Sequence, residues 1–196
     1  MNRDESFFIR KQFRLKIYES DGQAFEDFFI SVMKAHNPDF QGVKPQGRKG
    51  DKKNDGFDKK AGRYYQVFAP EDIRRSISSA ISKLDEDFKG LYDYWNDLHP
   101  IKQFFFVVND KYKDAYPDLH TKLSEIKSLY PDVECEFFSV SNLEKVFFEL
   151  PDHEIFQLVG LPPNVTNLNN IDFGAMNEVV HYLLNKEFSY CLLYTS

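Results

Sequence analysis

The sequence predicts an α/β fold in which a central mixed sheet is flanked by helices. Residues 23–36 and 72–95 carry apolar side chains at helical spacing, so we expect two amphipathic helices there. Residues 56–69 predict a β-hairpin with its turn at an Ala-Gly pair. The apolar run KQFFFVVN at residues 102–109 is typical of a strand buried on both faces of a largely parallel sheet. Alternation of helices and strands favours a layered α/β architecture.

The remaining segments are interpreted from the same patterns. Residues 6–19 mix apolar and basic side chains and fit either a strand or a helix. Periodicity and turn residues predict four further elements: a strand at 40–44, a helix at 119–129, a strand at 133–140 and a short helix capped by Ser141 at 141–149.

The sequence also predicts how the chain is divided. Residues 1–150 are expected to form one domain, followed by a linker at 151–170 that is rich in Pro, Gly and Asn. Residues 171–190 begin a further C-terminal segment with a helical pattern. The last six residues, CLLYTS at 191–196, correspond to the translation of a transposon-end adapter used in sequencing libraries. We exclude them from fold reasoning and expect the natural protein to continue past this point.

Composition indicates an ordinary globular protein. Hydrophobic residues make up 42% of the chain and charged residues 29%, which is enough apolar material for a buried core. The formal net charge of −6 argues against a nonspecific coat for nucleic acid. Cys135 and Cys191 lie far from each other and from any His at metal-ligand spacing, so zinc is not expected. The sequence contains no apolar run of membrane-spanning length, and we expect a cytoplasmic protein that does not enter membranes.

A dense basic run stands out in this acidic chain, in and around the predicted hairpin. Runs of this kind are usually solvated loops. Because this one brackets a group of acidic and amide residues, we also expect it to contact the phosphate backbone of DNA. Its residues are Arg48, Lys49, Lys52, Lys53, Lys59, Lys60 and Arg63.

A cassette between residues 23 and 109 resembles a known nuclease family. The segments AFEDFFISVM, GDKKNDG and YYQVFAPE follow one another and precede a long helix and FFFVVND. They present Glu26 after an aromatic residue, Asp55 in a pattern similar to G-D-x-G-x-D, and Gln66 at the first position of a (D/E/Q)-x-K motif. This order resembles the Mrr-type branch of the PD-(D/E)XK nuclease superfamily. The resemblance implies a restriction-endonuclease-like core and metal-dependent cleavage of DNA.

The resemblance also implies a role for each matching residue. Asp55 is the expected central ligand of a Mg²⁺ ion, and Gln66 and the carbonyl of Val67 complete the protein ligands. Glu26 is expected to reach the ion through water. Mg²⁺ prefers hard oxygen ligands, and a divalent ion both stabilises charge on the phosphate and activates water.

One position departs from the family pattern. Phe68 stands where the family has a lysine that orients or activates the attacking water. Either the lysine function has moved, to Lys83 on the following helix or to Lys59 or Lys60 in the hairpin, or the site is inactive. Asn-Asp-Gly around Asp55 is also a strong turn signal in its own right, so a purely structural interpretation stays open.

A second resemblance concerns biological context. The pattern GD-x-x-NDG followed by YQVFAPE is similar to modules of prokaryotic ABC-three-component defence systems. The sequence therefore supports two functional hypotheses. The first is a metal-dependent nuclease-like domain that acts on DNA. The second is a catalytically inactive module that binds nucleic acid or a partner protein within a multi-component defence assembly.

Overall fold

The structure is a computed structural model, and it describes residues 1–43, 53–113, 116–161, 177–178 and 180–182. The chain divides into two compact units, Met1–Leu161 and Pro162–Ser196. Of the second unit, only the five residues named last are described, and they are helical. Most of the predicted C-terminal helical segment and the suspected adapter tail lie outside the described residues, as do Arg48, Lys49 and Lys52 of the basic run.

A five-stranded mixed sheet forms the centre of the first unit, which confirms the predicted α/β fold with a mixed sheet flanked by helices. The strands lie side by side in the order in which they occur along the chain. Neighbouring strands among the first three are antiparallel, and the last three strands are parallel. The strands are β1 (Phe40–Gly42), β2 (Gly56–Asp58), β3 (Arg63–Phe68), β4 (Gln103–Val108) and β5 (Glu134–Phe138).

Six α-helices surround this sheet. They are α1 (Arg3–Glu19), α2 (Gly22–His36), α3 (Ile77–Trp95), α4 (Pro117–Leu129), α5 (Val140–Phe148) and α6 (Asp152–Val159). The segment that fitted either a strand or a helix is helix α1, because Ile9, Phe13 and Ile17 recur every four residues and all become fully buried. A capping box between Asn2 and Glu5 starts this helix.

Apart from small shifts at the ends of several elements, three features differ from the predictions. The predicted helix at residues 72–95 begins as a 3₁₀ turn, Arg74–Ser76, before α3. Helix α5 is capped by Ser139, in a box with Asn142, and not by Ser141. Residues 152–159, which the composition assigned to a linker, form helix α6, because Ile155 is buried in the same core cluster as residues of α1 and α2.

Two hydrophobic cores enclose the sheet. Side chains alternate along a strand, so neighbouring residues of β3 enter different cores. Tyr65 and Val67 join the cluster that holds the buried residues of α1, α2 and α5, whereas Tyr64 joins the cluster that holds those of α3 and α4. Strand β3 therefore has α2 packed on one side and α3 on the other.

The turn of the β2–β3 hairpin is fixed by two residues. Gly62 has a φ of 68°, in the left-handed region that favours glycine, and a Cβ there would lie 2.9 Å from the Pro100 carbonyl oxygen. Asp58 accepts hydrogen bonds from the Ala61 N–H at 3.1 Å and from the Asn37 amide at 2.8 Å. Burial acts to raise the pKa of the Asp58 carboxyl, but these hydrogen bonds outweigh burial and lower it.

Candidate functional site

Asp55 lies immediately before β2 and is held in the hairpin by its backbone. Its N–H donates to the Tyr65 carbonyl at 3.0 Å, and its own carbonyl accepts from the Val43 N–H at 2.9 Å. The residue is only 4% exposed. The Asn-Asp-Gly sequence forms a turn here, since the Asn54 side chain accepts from the Gly56 N–H at 3.1 Å, and the same turn directs Asp55 into the protein.

The carboxylate of Asp55 binds to β3 through two hydrogen bonds. Its Oδ2 accepts from the Gln66 side-chain amide at 2.8 Å and from the Val67 backbone N–H at 2.6 Å. A carboxylate accepts hydrogen bonds but does not donate them, so the Gln66 nitrogen must face Asp55 and the Gln66 oxygen must point elsewhere. That oxygen, Oε1, is buried and has no hydrogen-bond partner among the described residues.

An unpartnered acceptor in the interior is costly, and such atoms are uncommon in folded proteins. The N–H and C=O of one strand residue point to the same side, so the carbonyl of Val67 lies on the same side of β3 as the N–H that binds Asp55. The amide oxygen of Gln66, the carboxylate of Asp55 and the carbonyl of Val67 are all hard oxygen donors. A small divalent cation such as Mg²⁺ prefers this type of donor.

In the described part of the chain, no three His, Cys, Asp or Glu side chains cluster as they do in metal sites. A metal at this place therefore depends on a mixed donor set with one buried carboxylate, an amide oxygen and a backbone carbonyl. These are the ligands that the resemblance implies, and such a set would need water or substrate oxygens to complete the coordination of a Mg²⁺ ion.

A cleft of about 330 Å³ opens at the carboxyl end of β3. Glu26 of α2 and Lys83 of α3 both contribute to its walls, although they come from opposite sides of the sheet. Glu26 also accepts a hydrogen bond from the Gln23 side chain at 3.0 Å. Val67 lines the cleft, and its N–H donates a hydrogen bond to Asp55. The cleft therefore lies next to the buried pair of Asp55 and Gln66.

Phe68, which stands at the lysine position of the (D/E/Q)-x-K motif that the sequence resembles, also lines this cleft. Its ring stacks on Phe106 of the adjacent strand, with centroids 6.0 Å apart and planes inclined by 19°. This stacking makes the cleft wall apolar at that position. Phe68 supplies neither a proton nor a positive charge to the cleft.

Lys83 and Asp87 form a second cluster beside the cleft. The ammonium of Lys83 lies 2.6 Å from Oδ2 of Asp87, and the ammonium of Lys53 lies 2.8 Å from Oδ1 of the same carboxylate. The Asp87 side chain is 2% exposed. Sequence reasoning missed Asp87, yet a signal was present, because it stands at helical spacing from the buried Leu84 and Leu91.

Among the other predicted basic residues that the structure describes, Lys59, Lys60 and Arg63 do not line the cleft. Lys59 and Lys60 lie in the hairpin turn, at the opposite end of β2 from Asp55, so neither is positioned as a replacement for the family lysine. Lys60 pairs with Asp39 at 2.8 Å, and its pKa is raised by hydrogen bonding to that carboxylate. Arg63 donates to the Gln103 side chain at 2.7 Å. The predicted phosphate contacts Arg48, Lys49 and Lys52 lie outside the described residues.

None of the described helices has both the length and the apolar character needed to cross a membrane. Comparisons of the chain with protein-family models, with curated proteins and with solved structures gave no match.

Proposed function

We propose that the chain is a metal-dependent nuclease-like domain with a restriction-endonuclease-like core, acting on DNA in a prokaryotic defence system. One observation carries this proposal: the buried, unpartnered Oε1 of Gln66 beside the buried carboxylate of Asp55. Hydrophobic side chains at positions 55 and 66 would stabilise the hairpin without the cost of burying a polar atom that has no hydrogen-bond partner. A metal ligand set explains why polar groups stand there.

Asp55, Gln66 and the carbonyl of Val67 are the residues that would hold Mg²⁺. The bound ion would supply a Lewis acid for the phosphate and lower the pKa of a bound water. Glu26 lies on the opposite wall of the adjoining cleft, where its carboxylate accepts hydrogen bonds and orients water. Lys83 on the same cleft carries the positive charge that Phe68 lacks, and it can contact a phosphate oxygen.

A specific feature also favours the second candidate, an inactive module that binds nucleic acid or a partner protein. Phe68 stacks on Phe106 in place of the catalytic lysine, and the ammonium of Lys83 is bound to Asp87. In this alternative Lys83 and the predicted basic run bind phosphate, and no bond is cleaved. DNA affinity that falls steeply with salt is expected from both candidates, so binding alone does not separate them.

The decisive experiment measures metal binding and cleavage separately. The full-length protein is titrated with Mg²⁺ or Mn²⁺ and followed by thermal unfolding, and then incubated with plasmid DNA. We expect both the metal-dependent rise in Tm and the cleavage to disappear in Asp55→Asn, which keeps the shape of the side chain but not its charge. Asp93→Asn, an exposed change on α3, is the matched control and should keep both.

Three results are informative. Metal binding with cleavage that is lost in Asp55→Asn supports the nuclease. Metal binding without cleavage of single- or double-stranded DNA supports the inactive module. A wild-type protein whose Tm does not respond to either ion contradicts the metal site itself.

A further inference from the structure

We propose that Asp87 and Lys53 are positioning residues for Lys83: the buried carboxylate of Asp87 is shared by two lysines, so that Lys83 can leave it for a phosphate in the cleft while Lys53 keeps it paired. This inference rests on the proposed function for the role of Lys83. The pairing itself is tested independently of any activity.

Three features show that Lys53 is held in a specific position. Its backbone has a φ of 62°, a left-handed conformation that costs a non-glycine residue free energy. Its side chain crosses α3 at Gly90, where a Cβ would lie 3.0 Å from the Lys53 Cγ. Its ammonium then reaches Asp87 at 2.8 Å. A surface lysine in random contact with a helix would need neither the unusual backbone nor the glycine.

Lys83 differs from Lys53 in its backbone and in its place. It approaches Asp87 from the same helix, four residues away, with an ordinary helical backbone, and its side chain is the less exposed of the two, 37% against 48%. It lines the cleft that contains Glu26 and Phe68, and it also lines a neighbouring groove of about 510 Å³ with Lys53 and Asp87. Because Lys83 borders both, rotation about its flexible stem would carry the ammonium from the carboxylate toward the cleft.

The charges of this cluster allow such an exchange. One buried carboxylate needs one cation, because an unpaired charge in the interior costs several kcal/mol. Asp87 forms ion pairs with two lysines, so either lysine can leave while the other keeps the carboxylate paired. If Lys83 were the sole partner, moving it to a phosphate would leave Asp87 buried and unpaired, and the exchange would be unfavourable. Lys53 removes that penalty.

A double-mutant cycle tests the sharing. The variants are Lys53→Met, Lys83→Met and the double variant, since methionine keeps most of the stem and removes the charge. We expect each single change to raise the unfolding equilibrium constant by less than about tenfold, because the other lysine still pairs Asp87. The double change should raise it at least about a hundredfold beyond the product of the two single effects. Lys89→Met, an exposed change on the same helix, is the control.

Lysine acylation, quantified by mass spectrometry, provides a second measurement on the same proteins. Lys83 should react more slowly in Lys53→Met, because it then holds Asp87 alone, and faster in Asp87→Asn. Lys89 should react at an unchanged rate in both. Additive unfolding effects together with an unchanged reactivity of Lys83 would overturn the proposal.

The activity measurement distinguishes this proposal from the proposed function. If the wild type cleaves DNA, Lys53→Met should lower kcat more than it raises KM, since Lys83 is retained by Asp87, and Lys53→Arg should restore kcat. If the wild type does not cleave, the proposed nuclease fails. The unfolding cycle then still decides whether the two lysines share Asp87.

Discussion

Replacing Gln66 with glutamate places a second carboxylate against Asp55 and tests the buried pair directly. In the native protein the Gln66 amide donates to the Asp55 carboxylate at 2.8 Å, and the two residues are 2% and 4% exposed. Gln66→Glu keeps the size and shape of the side chain. It changes the contact from a donor facing an acceptor to two acceptors that carry like charges.

The magnitude follows from this geometry. Two unit charges about 4 Å apart repel by about 4 kcal/mol at an effective dielectric constant of about 20. Protonating one carboxyl instead costs about 1.4 kcal/mol for each unit of pH above its ordinary pKa of about 4.3. Near a pH of about 8 protonation is the more expensive option, so we expect a loss of about 4 kcal/mol in the free energy of unfolding. Near a pH of about 5 protonation costs about 1 kcal/mol and restores a donor, so most of the loss should disappear.

The sign of this dependence is opposite to ordinary acid denaturation. The pair binds a proton more tightly in the folded state than in the unfolded state, so stability relative to the wild type falls as pH rises through the folded-state pKa. Urea unfolding at several pH values measures it. Added Mg²⁺ should recover stability at high pH, because the introduced carboxylate is a stronger ligand for the ion than an amide.

Gln41→Glu, an exposed change on β1, is the control for adding one negative charge to the sheet. It should alter stability by less than about 0.5 kcal/mol. A Gln66→Glu variant that is as stable as this control at every pH would refute the contact between Gln66 and Asp55, and with it the arrangement on which the metal site depends.

Three further predictions concern the framework around the site. Gly56→Ala should destabilise the protein by about 1–3 kcal/mol in urea unfolding, because the new Cβ would lie 2.3 Å from the Phe40 ring; an unchanged midpoint would show that this ring moves freely. The pKa of Asp58 is lowered in the folded state, so its contribution to stability is present above its unfolded pKa of 3.8 and is lost as pH falls through the folded value. Asp58→Asn should therefore weaken the loss of stability in acid, and an identical pH profile would contradict this. Burial, followed by the charge of Glu134, raises the pKa of Cys135 to about 12, so in a Cys191→Ser background a thiol reagent should react slowly with the folded protein at about pH 8 and quickly after unfolding.

Local sequence was sufficient to predict the elements that carry the site. The turn and alternation signals predicted the hairpin, whereas it was the family resemblance that grouped Asp55 with Gln66; a short hairpin brings its two strands together whatever the rest of the chain does, and the two side chains are in contact. The periodicity of α2 and α3 depends equally on local spacing. The same reasoning failed for α6, since Pro, Gly and Asn at its margins concealed a helix whose burial of Ile155 depends on distant residues.

What only the tertiary structure decided is which side chains meet around this hairpin. Glu26 and Lys83 share a cleft because α2 and α3 pack on opposite faces of the sheet and both reach the end of β3. The pairing of Asp87 also depends on the tertiary structure. Its place on the helix predicts burial and a pairing with Lys83, but its second partner, Lys53, lies 34 positions earlier in the chain. Periodicity specifies which face of an element is buried, whereas the partner of a buried charge depends on how separate elements pack together.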